Sequence, residues 1–100
     1  MYKLKYQAIA RQDMVEIVTY ISHDLQNPTA ANKLAEEMVL TAEKLTEFPY
    51  VKATYTSPKP LKREYRKLNV KNYIMFYWVN EEIKTVSIAR VTYVRRDYGK

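Results

Sequence analysis

The sequence predicts an α+β fold, an antiparallel β-sheet with an N-terminal strand and a helical hairpin packed on one face. Three observations carry that expectation. Tyr2, Leu4 and Tyr6 alternate with Lys3, Lys5 and Gln7 at the start of the chain. Two stretches with apolar residues at three- and four-residue spacing then meet at Asn27-Pro28. Beyond residue 60, runs rich in Val, Ile, Thr and aromatic residues are separated by polar turns. Period two belongs to a half-buried strand, and the 3.6 period to a helix with one apolar face.

The elements follow in order. Residues 2–7 form the first strand. Met14, Ile17, Val18, Ile21 and Leu25 mark one face of a helix over 8–24. Asn27 is a good N-cap, and Pro28 at the first helical position gives up no hydrogen bond that the helix needs. The second helix therefore runs over 28–48, with a stripe of Ala31, Leu34, Ala35, Met38, Ala42, Leu45 and Phe48, and stops at Pro49. The short link makes the two helices an antiparallel hairpin. Prolines 49, 58 and 60 mark a loop over 49–60.

Three strands complete the order β-α-α-β-β-β. Residues 62–70 form the first, with Lys71-Asn72 central in the turn that follows. Residues 73–79 are apolar on both faces, which places them centrally in the sheet. Residues 83–93 form the last, where Val91 falls out of phase with Val86 and Ile88. A bulge near Ala89-Arg90 accounts for the slip. One domain spanning 1–100 suits a chain of 11.9 kDa.

Composition narrows the chemistry. There is no Cys, a single His at position 23 and a single Gly at position 99. Thiolate sites, multi-histidine metal sites and glycine-rich phosphate loops are excluded, so no cofactor and no metal are expected. The longest apolar run, Tyr73 to Val79, is seven residues, too short to span a bilayer. The alternation at the N-terminus is unlike a secretory signal. A cytoplasmic protein without membrane contact is the expectation. Glu36-Glu37 and Glu81-Glu82 read as solvated pairs, and His23 as a surface or capping residue.

The net charge of +6 is unevenly spread. Residues 1–50 carry five Lys/Arg against seven Asp/Glu, and residues 51–100 carry twelve against four. Six of the ten tyrosines lie in that basic half. Such a half suits a polyanion or an acidic protein partner. Arg66 and Arg90, if they share a sheet face, would form a phosphate clamp. Tyr98 adds a group that can stack or donate a proton. Such a set could cleave RNA without metal, the 2′-hydroxyl attacking and the cations stabilising the charge that develops. Lys62, Arg63, Arg95 and Arg96 are candidates for contact with a target or a nucleic acid.

Three segments together resemble the RelE/ParE superfamily, the toxins of type II toxin–antitoxin modules. They are Asp13–Ile21 with Asn27-Pro28-Thr29-Ala30-Ala31; Leu45-Thr46-Glu47-Phe48-Pro49; and Arg66-Lys67-Leu68, Tyr73-Ile74-Met75-Phe76-Tyr77 and Arg90–Asp97. The resemblance covers nearly the whole chain and rests on order and spacing. It implies a growth-inhibiting toxin held inactive by a cognate antitoxin. RelE-like members cleave mRNA in the ribosome, and ParE-like members poison DNA gyrase. Catalytic roles for Arg66, Arg90 and Tyr98 belong only to the ribonuclease alternative, which needs no metal. Two departures favour the ParE-like branch. Ile74 stands where the family's ribonucleases usually carry Arg, and Tyr93 where many relatives have His.

Overall fold

A computed structural model describes residues 1–56, 59 and 62–94. Its order is β1 (Lys3–Tyr6), α1 (Ala8–Thr19), α2 (Pro28–Glu43), β2 (Arg66–Val70), β3 (Tyr73–Asn80) and β4 (Thr85–Tyr93). A π-helical turn, Tyr20–Asp24, continues α1, and a 3₁₀ turn, Lys44–Thr46, continues α2. The two helical spans of the sequence are thereby recovered to within about a turn.

The hinge between the helices is built as the sequence suggests. The Asn27 side-chain oxygen accepts from the Ala30 N–H at 3.1 Å, and Pro28 opens α2. The wide π turn closes with Leu25 N–H donating to the Tyr20 carbonyl at 3.1 Å. Gln26 then takes φ 50°, the left-handed conformation that reverses the chain.

The four strands form one sheet in the order β1-β4-β3-β2. β2, β3 and β4 are antiparallel neighbours, as expected. The N-terminal strand corrects the expectation of a wholly antiparallel sheet, because β1 lies parallel to β4, Leu4 opposite Val86 and Tyr6 opposite Ile88. The helical hairpin is the reason. It occupies the connection from β1 and forces a crossover, and a crossover through helices delivers parallel strands. The expected bulge is present, since Phe76 pairs with Arg90 and Tyr77 with Ile88, leaving Ala89 extra.

One face of the sheet carries the core. Met75, Tyr77, Val86, Ile88, Leu68 and Val70 pack against Leu34, Met38, Ala42 and Leu45 of the helical layer. Burying each large side chain contributes roughly 1.5–3 kcal/mol. Tyr77 is wholly buried, and its hydroxyl donates to the Pro49 carbonyl at 2.9 Å. Two stripe assignments fail. Phe48 is 63% exposed and Leu25 is 56% exposed, each at the end of its helix where the layer no longer overlies the sheet. The first C-terminal strand begins at Arg66, not at residue 62.

Candidate functional site

Arg66 opens β2 opposite Tyr77 and therefore lies on the face that carries the core. Its guanidinium donates to the Lys52 carbonyl at 2.7 Å and the Tyr50 carbonyl at 3.4 Å. It also pairs with Glu64 at 3.1 Å and lies 5.0 Å from the Tyr50 ring centre. Its side chain is 16% exposed. This arginine pins the loop after α2 to the sheet.

Arg90 has a different partner. Its Nε and Nη2 donate to the Asp13 carboxylate at 2.8 and 3.1 Å, a bidentate pair between β4 and α1. Burial alone would raise the Asp13 pKa. The hydrogen bonds from Arg90 and from the Val91 N–H, with the charge of Arg90, outweigh it and hold the carboxyl below its ordinary value.

The pair of arginines thus forms no clamp across one face. They stand opposite Tyr77 and Phe76, adjacent residues of β3 that point to opposite faces. Each guanidinium is already engaged. Ile74 is half-buried two residues before Phe76, and Tyr93 is exposed, packed edge-on against Tyr73 at 5.5 Å. Lys62 and Arg63 are exposed beside β2. Arg95, Arg96 and Tyr98 lie outside the described residues.

Glu81 joins three segments that are far apart in sequence. It accepts from the Tyr2 hydroxyl at 2.6 Å, from the Tyr50 hydroxyl, and from Lys84 Nζ at 2.7 Å. Hydrogen bonds from Lys84, Tyr2 and Tyr50 lower its pKa to about 2. The same contact with Glu81, aided by desolvation, raises the Tyr50 pKa to about 12. The expectation that Glu81 and Glu82 are both simply solvated holds for Glu82 alone. Sequence spacing carries no signal for a contact across 79 residues.

Between the helical hairpin and the far end of the sheet lies an open groove of about 900 Å³. Ile17, Tyr20, Ile21, Leu25, Tyr73 and Tyr93 supply its apolar lining. Tyr20, Leu25 and Tyr93 are each more than half exposed there, so the groove offers unsatisfied apolar surface. Asp13, Glu16, Lys33 and Lys71 stand around it. Its chemistry fits apolar anchors from a protein partner far better than a phosphate. Among the described residues, no three of His, Cys, Asp and Glu come together as a metal site, and no helix is long and apolar enough to cross a membrane.

A four-stranded sheet under a helical hairpin, with an open apolar groove and with Arg66 and Arg90 engaged in structural contacts, defines a small α+β domain. Residues 4–98 match the family model described as the ParE toxin of the type II toxin–antitoxin system, parDE, and the chain belongs to that family. Solved structures share the fold. The chromosomal ParDE toxin–antitoxin system from P. aeruginosa aligns with TM-score 0.76 at 23% identity, covering 95% of this chain and 98% of that one. A RelBE toxin–antitoxin complex from Mycobacterium tuberculosis aligns at 0.59 and 23% identity, covering 92% and 96%. The isolated E. coli RelE toxin aligns at 0.58 and 20% identity, covering 97% and 88%. A comparison with curated protein sequences gives no match.

Proposed function

We propose that this toxin is a ParE-like inhibitor of DNA gyrase, neutralised by a cognate antitoxin. The observation that carries the reading is the use of Arg66 and Arg90, the two candidate catalytic arginines among the described residues. Arg66 binds loop carbonyls and Arg90 binds Asp13, so both guanidiniums already hold structural partners and neither is aimed with the other at one phosphate. A ribonuclease would need at least one such charge aimed at the transition state. Inhibition of a protein target needs a shaped surface, which the domain has.

The antitoxin is the partner for the groove. The ParDE and RelBE systems among the similar structures are toxin–antitoxin systems. Apolar side chains of the antitoxin seated between Tyr20, Leu25 and Tyr93 would carry most of the affinity, with acidic residues following the basic half of the chain.

The deciding assay compares gyrase-dependent DNA cleavage with cleavage of ribosome-bound mRNA, using wild type and Arg66→Ala side by side. Gyrase-dependent cleavage by wild type, only modestly reduced in Arg66→Ala, is the expected result. Ribosome-dependent mRNA cuts that vanish with Arg66→Ala, with no effect on gyrase, would overturn the reading in favour of a RelE-like endoribonuclease.

A further inference from the structure

The end of the sheet remote from the groove carries apolar surface that the proposed function does not use. Two turns meet there. In the first, after α2, the Val51 N–H donates to the Phe48 carbonyl at 3.3 Å, which keeps those two residues within about 7 Å of each other. The second joins β3 to β4 through Glu81, Glu82, Ile83 and Lys84. Phe48, Val51 and Ile83 are 63%, 64% and 63% exposed. The Tyr50 hydroxyl donates to the Glu81 carboxylate and fixes the two turns side by side. Tyr2 donates to the same carboxylate at 2.6 Å, and its backbone N–H donates to the Thr46 carbonyl at 2.9 Å. The patch therefore has its shape before any partner arrives, which lowers the cost of association.

Its charge sets it apart from the rest of the chain. Residues 44–52 and 81–84 carry three Lys and three Glu, in a chain of net charge +6. Two copies of so basic a chain repel each other on average, and least where the local charges balance. A balanced patch exerts no pull on a polyanion or an acidic peptide. Both signs are present, however, so it can complement itself. Lys52 beside the first turn and Glu82 in the second make no ion pair among the described residues.

We propose that this end of the molecule is a self-association surface, on which two copies of the chain pair about a two-fold axis through the Phe48–Val51 turn and Ile83. In such an isologous contact each Lys52 would face the partner's Glu82 once on either side of the axis. Phe48, Tyr50, Val51 and Ile83 expose roughly 400 Å² per copy, the size of patch that marks a contact site. With Tyr2 and the polar flanks, the pair would bury roughly 1,000–1,200 Å² in all, at the low end of specific interfaces. The association is therefore weak and reversible. β3 runs its eight residues between Tyr73 at the groove and Asn80 beside the patch, about 25 Å. Both grooves stay open in the pair, and the inference does not depend on the gyrase reading.

Sedimentation velocity of the full chain over about 1–300 μM tests it. A monomer–dimer equilibrium is expected, with a Kd on the order of 10–100 μM. The mass should level off at twice 11.9 kDa, because an isologous contact closes on itself. Raising salt should leave the dimer intact or tighten it, since salt screens the repulsion between two basic chains. Phe48→Ser and Ile83→Ser should each weaken association at least about tenfold. Val15→Ser, which replaces an apolar side chain 64% exposed on α1, should leave it unchanged. Amide shifts of the wild type on dilution, followed by NMR, should move at 48–51 and 81–84 and give the same answer should a variant fail to fold.

A monomer at every concentration overturns the proposal and leaves the patch to a different protein. A mass that keeps growing beyond the dimer overturns the two-fold pairing. Dissociation in high salt would show a contact made by charge, not by the apolar turns. Dilution shifts confined to the groove, or a dimer indifferent to both Phe48→Ser and Ile83→Ser, would place the contact elsewhere and overturn it as well.

Discussion

Asp13 and Arg90 meet through two hydrogen bonds of 2.8 and 3.1 Å, and the same carboxylate accepts the Val91 N–H at 2.9 Å. The position of this contact explains its use. β1 pairs with β4 only as far as Ile88, so on the edge away from β3 the Val91 N–H has no strand to meet it. Asp13 supplies the missing acceptor from α1 and fastens the first helix to the sheet just past the bulge.

Asp13→Ala removes that acceptor from a largely covered site, and should cost about 1–3 kcal/mol, because the Val91 N–H is left unpaired. Asp13→Asn keeps an oxygen acceptor and should cost less. Arg90→Ala should cost less than Asp13→Ala, since its side chain is 49% exposed and its ion pair is screened by solvent. Urea unfolding of the three variants checks the order. An Arg90→Ala cost equal to that of Asp13→Ala would show that the ion pair, not the backbone contact, is what matters.

Protonation of Asp13 provides a second check. Its pKa is lowered in the folded chain, so its contribution is present above the unfolded value and lost as pH falls through the folded one. Wild type should therefore lose stability faster than Asp13→Asn as pH falls below about 4. Chemical denaturation at a series of pH values measures the difference, and parallel curves would contradict it.

Tyr77→Phe should cost about 1–1.5 kcal/mol although every ring contact is kept, because the buried Pro49 carbonyl loses its donor. Thermal and urea midpoints should both fall. The loop after α2 should also show faster amide exchange, beginning with the Tyr55 N–H that donates to the Tyr65 carbonyl at 2.7 Å.

Tyr50 should ionise near pH 12, well above an ordinary tyrosine, because its hydroxyl faces the Glu81 carboxylate. Glu81→Gln should bring it back toward 10. The sign follows from linkage: the contact stabilises the fold below the unfolded tyrosine pKa and is lost as pH rises through the folded one. Carbon NMR of the labelled tyrosine ring, with Tyr50→Phe for assignment, reads the titration directly. A Tyr50 value unchanged by Glu81→Gln would remove Glu81 as its cause.

If the antitoxin reads the basic half of the chain, raising salt should slow association more than it speeds dissociation. Tyr93→Ala in the groove should chiefly speed dissociation. Surface plasmon resonance with the purified antitoxin separates the two rates. Salt-insensitive association would contradict the electrostatic part.

The sequence by itself determined the element order, the hinge at Asn27-Pro28, the turn at Lys71-Asn72, the central place of residues 73–79 and the bulge at Ala89. All are written in local spacing, capping and turn chemistry, which act over a few residues. The stripe from Leu34 to Leu45 was legible for the same reason. Phe48 and Leu25 misled, because periodicity marks a helix face but not where the neighbouring sheet ends. Only the tertiary structure decided the parallel entry of β1, the separation of Arg66 from Arg90, the role of Asp13 and the joining of Tyr2, Tyr50 and Glu81. Each depends on which strand becomes whose neighbour after a crossover. A guanidinium reads the same in sequence whether it awaits a phosphate or already holds a carbonyl 14 residues away. That choice is made by backbone groups left unpaired where loop, helix and strand meet, and these exist only once the chain is folded.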